Sequence, residues 1–153
     1  MPKFSTKRRV RHAATDMFKL VADIEKYPLF VPLCSALKVK SWTEKDGVTI
    51  LVADMTVAYK IIRETFTSRV TLDRSSLKIF VEYLNGPFKR MQNLWTFHRV
   101  VDGVCDIEFY IDYELRSRTL AALMGAMFDA AFRRFALAFE KRADEIYGNQ
   151  QVV

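Results

Sequence analysis

The stretch from Ser117 to Tyr147 restricts the fold more than any other. Apolar side chains at Leu120, Met124, Met127, Ala131, Phe135, Ala138, Phe139 and Ile146 recur at steps of three and four, which sets them along one face of an α-helix. About 30 residues at about 1.5 Å each make a rod of about 45 Å, long enough to cross a small domain. Leu123, Phe128 and Phe132 stand off the centre of that stripe and add a second apolar flank. A helix apolar over so wide an arc needs a broad, concave partner. The run from Thr119 to Phe132 is apolar except for Thr119 and Asp129, yet it is only about two-thirds of the roughly 20 residues a bilayer span requires. It reads as a buried helix, with membrane contact through its exposed flank as the alternative.

Upstream, Lys3, Lys7, Arg8, Arg9 and Arg11 all precede the first acid, Asp16. Two readings fit. The segment is a transit peptide or polybasic arm, or it is a first strand in which Phe4, Thr6, Arg8 and Val10 alternate with Ser5, Lys7, Arg9 and Arg11 to leave one basic, solvated face. No apolar run of a secretory signal follows. From Thr15 to Glu25 the pattern is helical, with Met17, Phe18, Leu20, Val21 and Ile24 on one side. Tyr27-Pro28 ends it, because the residue before a proline is pushed out of the α region. Between Pro28 and Pro32 the large apolar residues Leu29, Phe30 and Val31 form a stiff elbow, which is either a packed corner of the core or a ligand contact.

Strand signals fill the middle of the chain. Segments rich in Val, Ile, Thr, Phe and Tyr run over about 36–42, 48–58, 61–72, 77–84, 88–100 and 104–115. Turn residues separate them at Asp46-Gly47, Asp73-Arg74-Ser75, Asn85-Gly86 and Asp102-Gly103. In the last segment Ile107, Phe109, Ile111, Tyr113 and Leu115 take one face, and Asp106, Glu108, Asp112 and Glu114, with Tyr110, take the other. Six hairpin-linked strands form an antiparallel meander. A bent sheet of this kind is the partner the terminal helix lacks, so the expected class is α+β, in one domain over residues 1–150.

Chemistry is scarce. His12 and His98 are the two histidines, and neither lies in HExxH or near a cysteine at ligand spacing. GxGxxG, Walker-type and GxSxG patterns are absent from the sequence, so no nucleotide cofactor or hydrolase elbow is indicated. Cys34 and Cys105 form no CxxC pair, which suits a reduced, cytoplasmic compartment. A net charge of +6 favours anionic partners such as lipid headgroups or RNA.

The quoted residues also carry a resemblance. Tyr27-Pro28, Phe30 and Pro32, then Phe66-Thr67-Ser68-Arg69-Val70, then Gly86-Pro87-Phe88-Lys89 with Trp95-Thr96-Phe97, and finally Ala138-Phe139 with Arg142-Ala143, resemble the coenzyme Q-binding protein family. That family lies in the START-like, polyketide cyclase and lipid-transport superfamily, which also includes bacterial ribosome-association toxins. The resemblance implies a helix-grip fold: a curved seven-stranded antiparallel sheet wrapped around the long C-terminal helix, with two short helices after the first strand and a hydrophobic tunnel inside. It implies binding of ubiquinone or a related polyisoprenoid in support of quinone biosynthesis or delivery to the respiratory chain. No catalysis and no cofactor beyond that lipid ligand are implied. Pro28, Phe30 and Pro32 would form the elbow at the tunnel mouth, Pro87, Phe88 and Lys89 the facing loop, and Trp95 and Phe97 the inner wall. Phe66, Met124 and Phe128 complete the expected ligand-binding set. The expected setting is the cytoplasm with transient contact at the inner face of the membrane. A ribosome-binding factor using the basic face at Arg8, Arg9 and Arg11 is the second reading, and a cyclase-type enzyme the third.

Twelve Phe, six Tyr, two Trp and six Met would suit an adaptable apolar lining, and equally a dry core.

Overall fold

Period-two alternation makes the strands of this protein, and short turns fix their register. The computed structural model describes residues 3–59 and 61–148, so residues 1, 2, 60, 149 and 150 of the expected 1–150 domain lie outside the described residues. Strands β1 (Lys3–Val10), β2 (Cys34–Lys45), β3 (Val48–Tyr59), β4 (Ile62–Asp73), β5 (Lys78–Asn85), β6 (Phe88–Val101) and β7 (Val104–Leu115) form one antiparallel sheet. Its order is β1-β7-β6-β5-β4-β3-β2, a meander with the first strand added beside the last. β2 runs beyond the expected 36–42 because Thr43, Glu44 and Lys45 still pair with Ile50, Thr49 and Val48 above the turn. Asp46 and Gly47 take φ of 54° and 79° there, the left-handed pair that a tight hairpin needs.

The basic N-terminal segment is the strand, paired with β7 from Lys3 opposite Asp112 to Val10 opposite Cys105. Its charges do not form a bare patch. Arg8 reaches Glu140 at 2.6 Å and Arg9 reaches Asp106 at 2.9 Å.

Helix α1 (Ala14–Ala22) is shorter than the expected 15–25, and the chain continues as a 3-10 helix at Ile24–Leu29 with Pro28 inside it. Proline has no N–H to give to an α-helical ladder, and a single tight turn accommodates it. Helix α2 (Arg118–Tyr147) starts where Ser117 accepts a hydrogen bond from the Leu120 amide at 3.0 Å, and it ends at Gly148 with φ of 80°.

The buried face of α2 is rotated from the expected stripe. Met124, Met127, Phe128, Ala131, Phe132, Ala136, Phe139 and Ala143 are buried, whereas Leu123 and Ile146 are exposed. Phe128 and Phe132 lie at the centre of the contact, stacked with centroids 5.7 Å apart. A 3.6-residue turn drifts against a 3.5-residue step, so a stripe traced over eight turns slides off the true face by its end. Tyr147 replaces Ile146 there, and its hydroxyl donates to the Asp16 carbonyl at 3.2 Å.

The two ends of the chain are also tied by His12, fully buried, whose Nε2 lies 2.7 Å from Asp144 Oδ1. Sheet, short helices and α2 share one core. Breaks in register at Val39/Ser41 on β2, Thr67/Ser68 on β4 and Phe88/Arg90 on β6 bend the sheet. Among the described residues, no helix is long and apolar enough to cross a membrane.

Candidate functional site

The inward rows of the strands leave a space that α2 does not fill. The centre of a water-sized molecule can reach about 110 Å³ of it. Val57, Val70, Ile79, Met91 and Trp95 line it from the sheet, and Phe128, Ala131, Phe135 and Phe139 from α2. The polar side chains in the lining are Tyr27, Ser68 and Asn93, beside the indole of Trp95. Such a surface suits an apolar molecule with few polar atoms.

Local structure explains each wall. Phe88 is the hub of one: its ring lies within 5.4–5.9 Å of Phe66, Tyr83, Tyr113 and Phe128. The Tyr83 hydroxyl also accepts a hydrogen bond from the Phe88 amide at 3.1 Å. Trp95 forms another, edge-on to Phe109 at 4.8 Å and to Phe139 at 5.2 Å. The elbow makes the third. Tyr27, Val31, Pro32 and Leu33 face the cavity, and the Tyr27 hydroxyl donates to the Val21 carbonyl. Burial raises the Tyr27 phenol pKa far above its ordinary range, so it stays protonated and held to that carbonyl.

The elbow, two hairpin turns and the start of α2 meet at one end of the molecule. Leu33 accepts from the Ala58 amide at 3.0 Å, which sets the elbow beside the β3–β4 turn. Gly86 abuts Phe66, and the Arg116 amide donates to the Pro87 carbonyl at 3.0 Å, which brings the β5–β6 turn and the start of α2 to the same end. Leu29 and Ile61 project there, 67% and 99% exposed.

Of the expected ligand-binding residues, Pro32, Phe66, Phe88, Trp95 and Phe128 line the cavity. Pro28, Phe30, Pro87, Lys89, Phe97 and Met124 are not in its lining. Phe30 packs instead on Phe139 at 5.1 Å and beneath the Arg142 guanidinium at 5.4 Å, so it clamps the elbow to α2. Phe97 stacks behind Trp95 at 6.2 Å and meets Phe18 at 5.8 Å. Met124 is fully buried in the sheet–helix contact. Lys89 is the extra residue of the β6 bulge; it points to solvent with its ammonium 3.9 Å from Glu114. Sequence reasoning missed Asn93 and Phe132. The signal for Asn93 was its place in the inward row with Met91, Trp95 and Phe97, an amide where alternation calls for an apolar side chain.

Residues 10–140 match the family described as Polyketide cyclase / dehydrase and lipid transport. The ribosome association toxin RatA of Escherichia coli K12 is 31% identical over 147 residues, covering 96% of this chain and 90% of that protein. The mitochondrial coenzyme Q-binding protein COQ10 homolog B of Xenopus laevis is 28% identical over 153 residues, covering 98% of this chain and 61% of that protein. A START superfamily protein from Mycobacterium smegmatis superposes with a TM-score of 0.80 over 94% of this chain and 98% of that chain, at 16% identity.

Proposed function

Because the chain belongs to the polyketide cyclase / dehydrase and lipid transport family, we propose that it is a non-catalytic carrier that shelters a polyisoprenoid quinone, ubiquinone or a close relative, from water. The observation that carries this reading is the apolar space between sheet and α2, whose lining contains no carboxylate, lysine or histidine among the described residues. A general acid and base for cyclisation would need such groups within reach of the substrate. Likeness to a coenzyme Q-binding homologue supports the quinone as cargo, in service of quinone biosynthesis or delivery to the respiratory chain.

The free space as it stands is smaller than a long prenyl chain. Uptake therefore requires the aromatic lining to repack, or the tail to trail out between elbow and β3–β4 turn. Leu29 and Ile61, exposed at that end, supply an apolar tip for transient contact with a membrane surface. Lipid extracted from gently purified protein and identified by mass spectrometry tests the proposal. Quinone in the extract, and saturable uptake of added quinone, are expected; protein that carries none and takes up none refutes the reading.

A second reading, association with a ribosomal subunit, is supported by the likeness to RatA. The basic strand is a poorer RNA surface than its sequence suggests, since Arg8 and Arg9 are engaged with Glu140 and Asp106. Salt-sensitive co-sedimentation with ribosomal subunits, lost in Arg8→Glu, would favour this reading.

A further inference from the structure

Ser68 lies in the inward row of β4, between Phe66 and Val70. It is 5% exposed, and its Oγ is buried with no hydrogen-bond partner among the described residues. A hydroxyl buried without a partner is costly, and one lining an otherwise apolar cavity is a donor waiting for an acceptor. The sheet aims it there. Alternation along β4, unbroken against β3, turns Ser68 the same way as Phe66, Val70 and Leu72; the extra residue at the β4–β5 register shift, Leu84, belongs to β5.

Two strands away on β6, Asn93 is the other polar residue of the sheet wall, 7% exposed. Its Nδ2 donates to the Tyr110 carbonyl at 2.9 Å, which fixes the plane of the amide. Val81 of β5 pairs with both Val70 and Asn93, so Ser68 and Asn93 stand on either side of an apolar floor, offset by one inward step. Both lie in the cavity lining, and Phe66 and Val70 flank Ser68 along the inward row of β4.

We propose that Ser68, assisted by Asn93, is the headgroup contact of the cavity: cargo brings a carbonyl or similar acceptor below the rim, where the Ser68 hydroxyl donates to it. This rests on the carrier reading and narrows it. Polar recognition takes place inside the molecule, and Lys89, outside on its bulge, has no part in it. A purely hydrocarbon lipid gains nothing from Ser68, whereas a quinone or other carbonyl-bearing lipid gains a buried hydrogen bond. Selectivity for the head therefore comes from one hydroxyl in a greasy wall.

The test compares a decyl-substituted benzoquinone with an alkane of matched length, in the wild type, Ser68→Ala and Ser68→Thr. Removal of an unpartnered hydroxyl leaves the folded protein as stable as before or more so, and thermal unfolding checks this. The expected result is a loss of quinone affinity of about 5- to 100-fold in Ser68→Ala, unchanged alkane binding, and recovery of quinone binding in Ser68→Thr. Equal quinone affinity in wild type and Ser68→Ala, or equal loss for both probes, overturns the headgroup assignment while leaving the carrier reading intact. Wild-type protein that takes up neither probe overturns the carrier reading, and the headgroup assignment with it.

Discussion

Trp95 meets Phe139 edge to face, ring centroids 5.2 Å apart at 80°, and through this contact β6 is joined to the C-terminal half of α2. Both rings are buried and both also line the cavity, so the residues that would touch cargo are the residues that join sheet to helix. Trp95→Ala is expected to cost about 3–5 kcal/mol of unfolding free energy, measured by urea titration. A loss under about 1 kcal/mol would mean that the contact is not structural.

A cleaner probe of the cavity fills it. Ala131 is buried on α2 and faces the space, and leucine there adds volume without leaving a hole elsewhere. Ala131→Leu should stay within about 1–3 kcal/mol of the wild type and lower quinone uptake at least about tenfold. Undiminished uptake in a folded variant would place the cargo outside this space.

Leu29 and Ile61, beside the elbow and the β3–β4 turn, are exposed and contribute little to the core. The double variant Leu29→Glu, Ile61→Glu should unfold within about 0.5 kcal/mol per site of the wild type, yet float less well with vesicles of anionic phospholipid. Equal flotation would remove the apolar tip from the route of cargo.

Gly86 has φ of 143°, and a Cβ added to it would meet Phe66 Cβ at 2.6 Å and Phe66 Cα at 2.9 Å. The β5–β6 turn can thus lie against β4 because the residue has no side chain. Gly86→Ala should destabilise by about 2–4 kcal/mol, combining backbone strain with overpacking. A smaller loss in calorimetry would show that β4 yields.

Burial pushes the Cys34 and Cys105 thiols from 9.0 up to about 11. Each folded pKa exceeds its unfolded value, so the thiols' contribution to stability is whole below about pH 8.5 and fades as pH rises toward 11. Unfolding free energy should therefore fall between pH 8.5 and 11. It should fall less steeply in Cys34→Ala, Cys105→Ala, and the difference isolates the thiols from the tyrosines, which act in the same direction. Alkylation of the native protein at pH 8 should also be slow, because little thiolate forms.

The sheet was legible because its period is short: Ile107 through Leu115 alternate without a fault, and β7 runs over the expected 104–115. The rotated face of α2 was less so, since helical phase errors accumulate and Ile146 and Tyr147 differ by only one step. The site was half legible. Phe66, Phe88 and Trp95 could be picked out as large apolar residues beside turns or on inward rows, but Phe97 has the same inward parity as Trp95 and packs behind it instead of lining the cavity. That Lys89 is the extra residue of a bulge could not be read, because a bulge interrupts the alternation that sequence displays. Ser68, small and flanked by polar neighbours, gave no sign in composition of a buried hydroxyl without a partner.

β1 precedes every other strand of the sheet, yet its partners are β7, Glu140 and, through His12, Asp144. Pairings so distant in sequence form late, and until they form the inner wall stays open to water. A chain stopped before Val104 should show no slow-exchanging amides in β1 and should bind chaperones through its uncovered apolar rows. The inward apolar rows therefore stay wet until the final strand and α2 are both in place, and the sheet has no finished interior before its far end arrives.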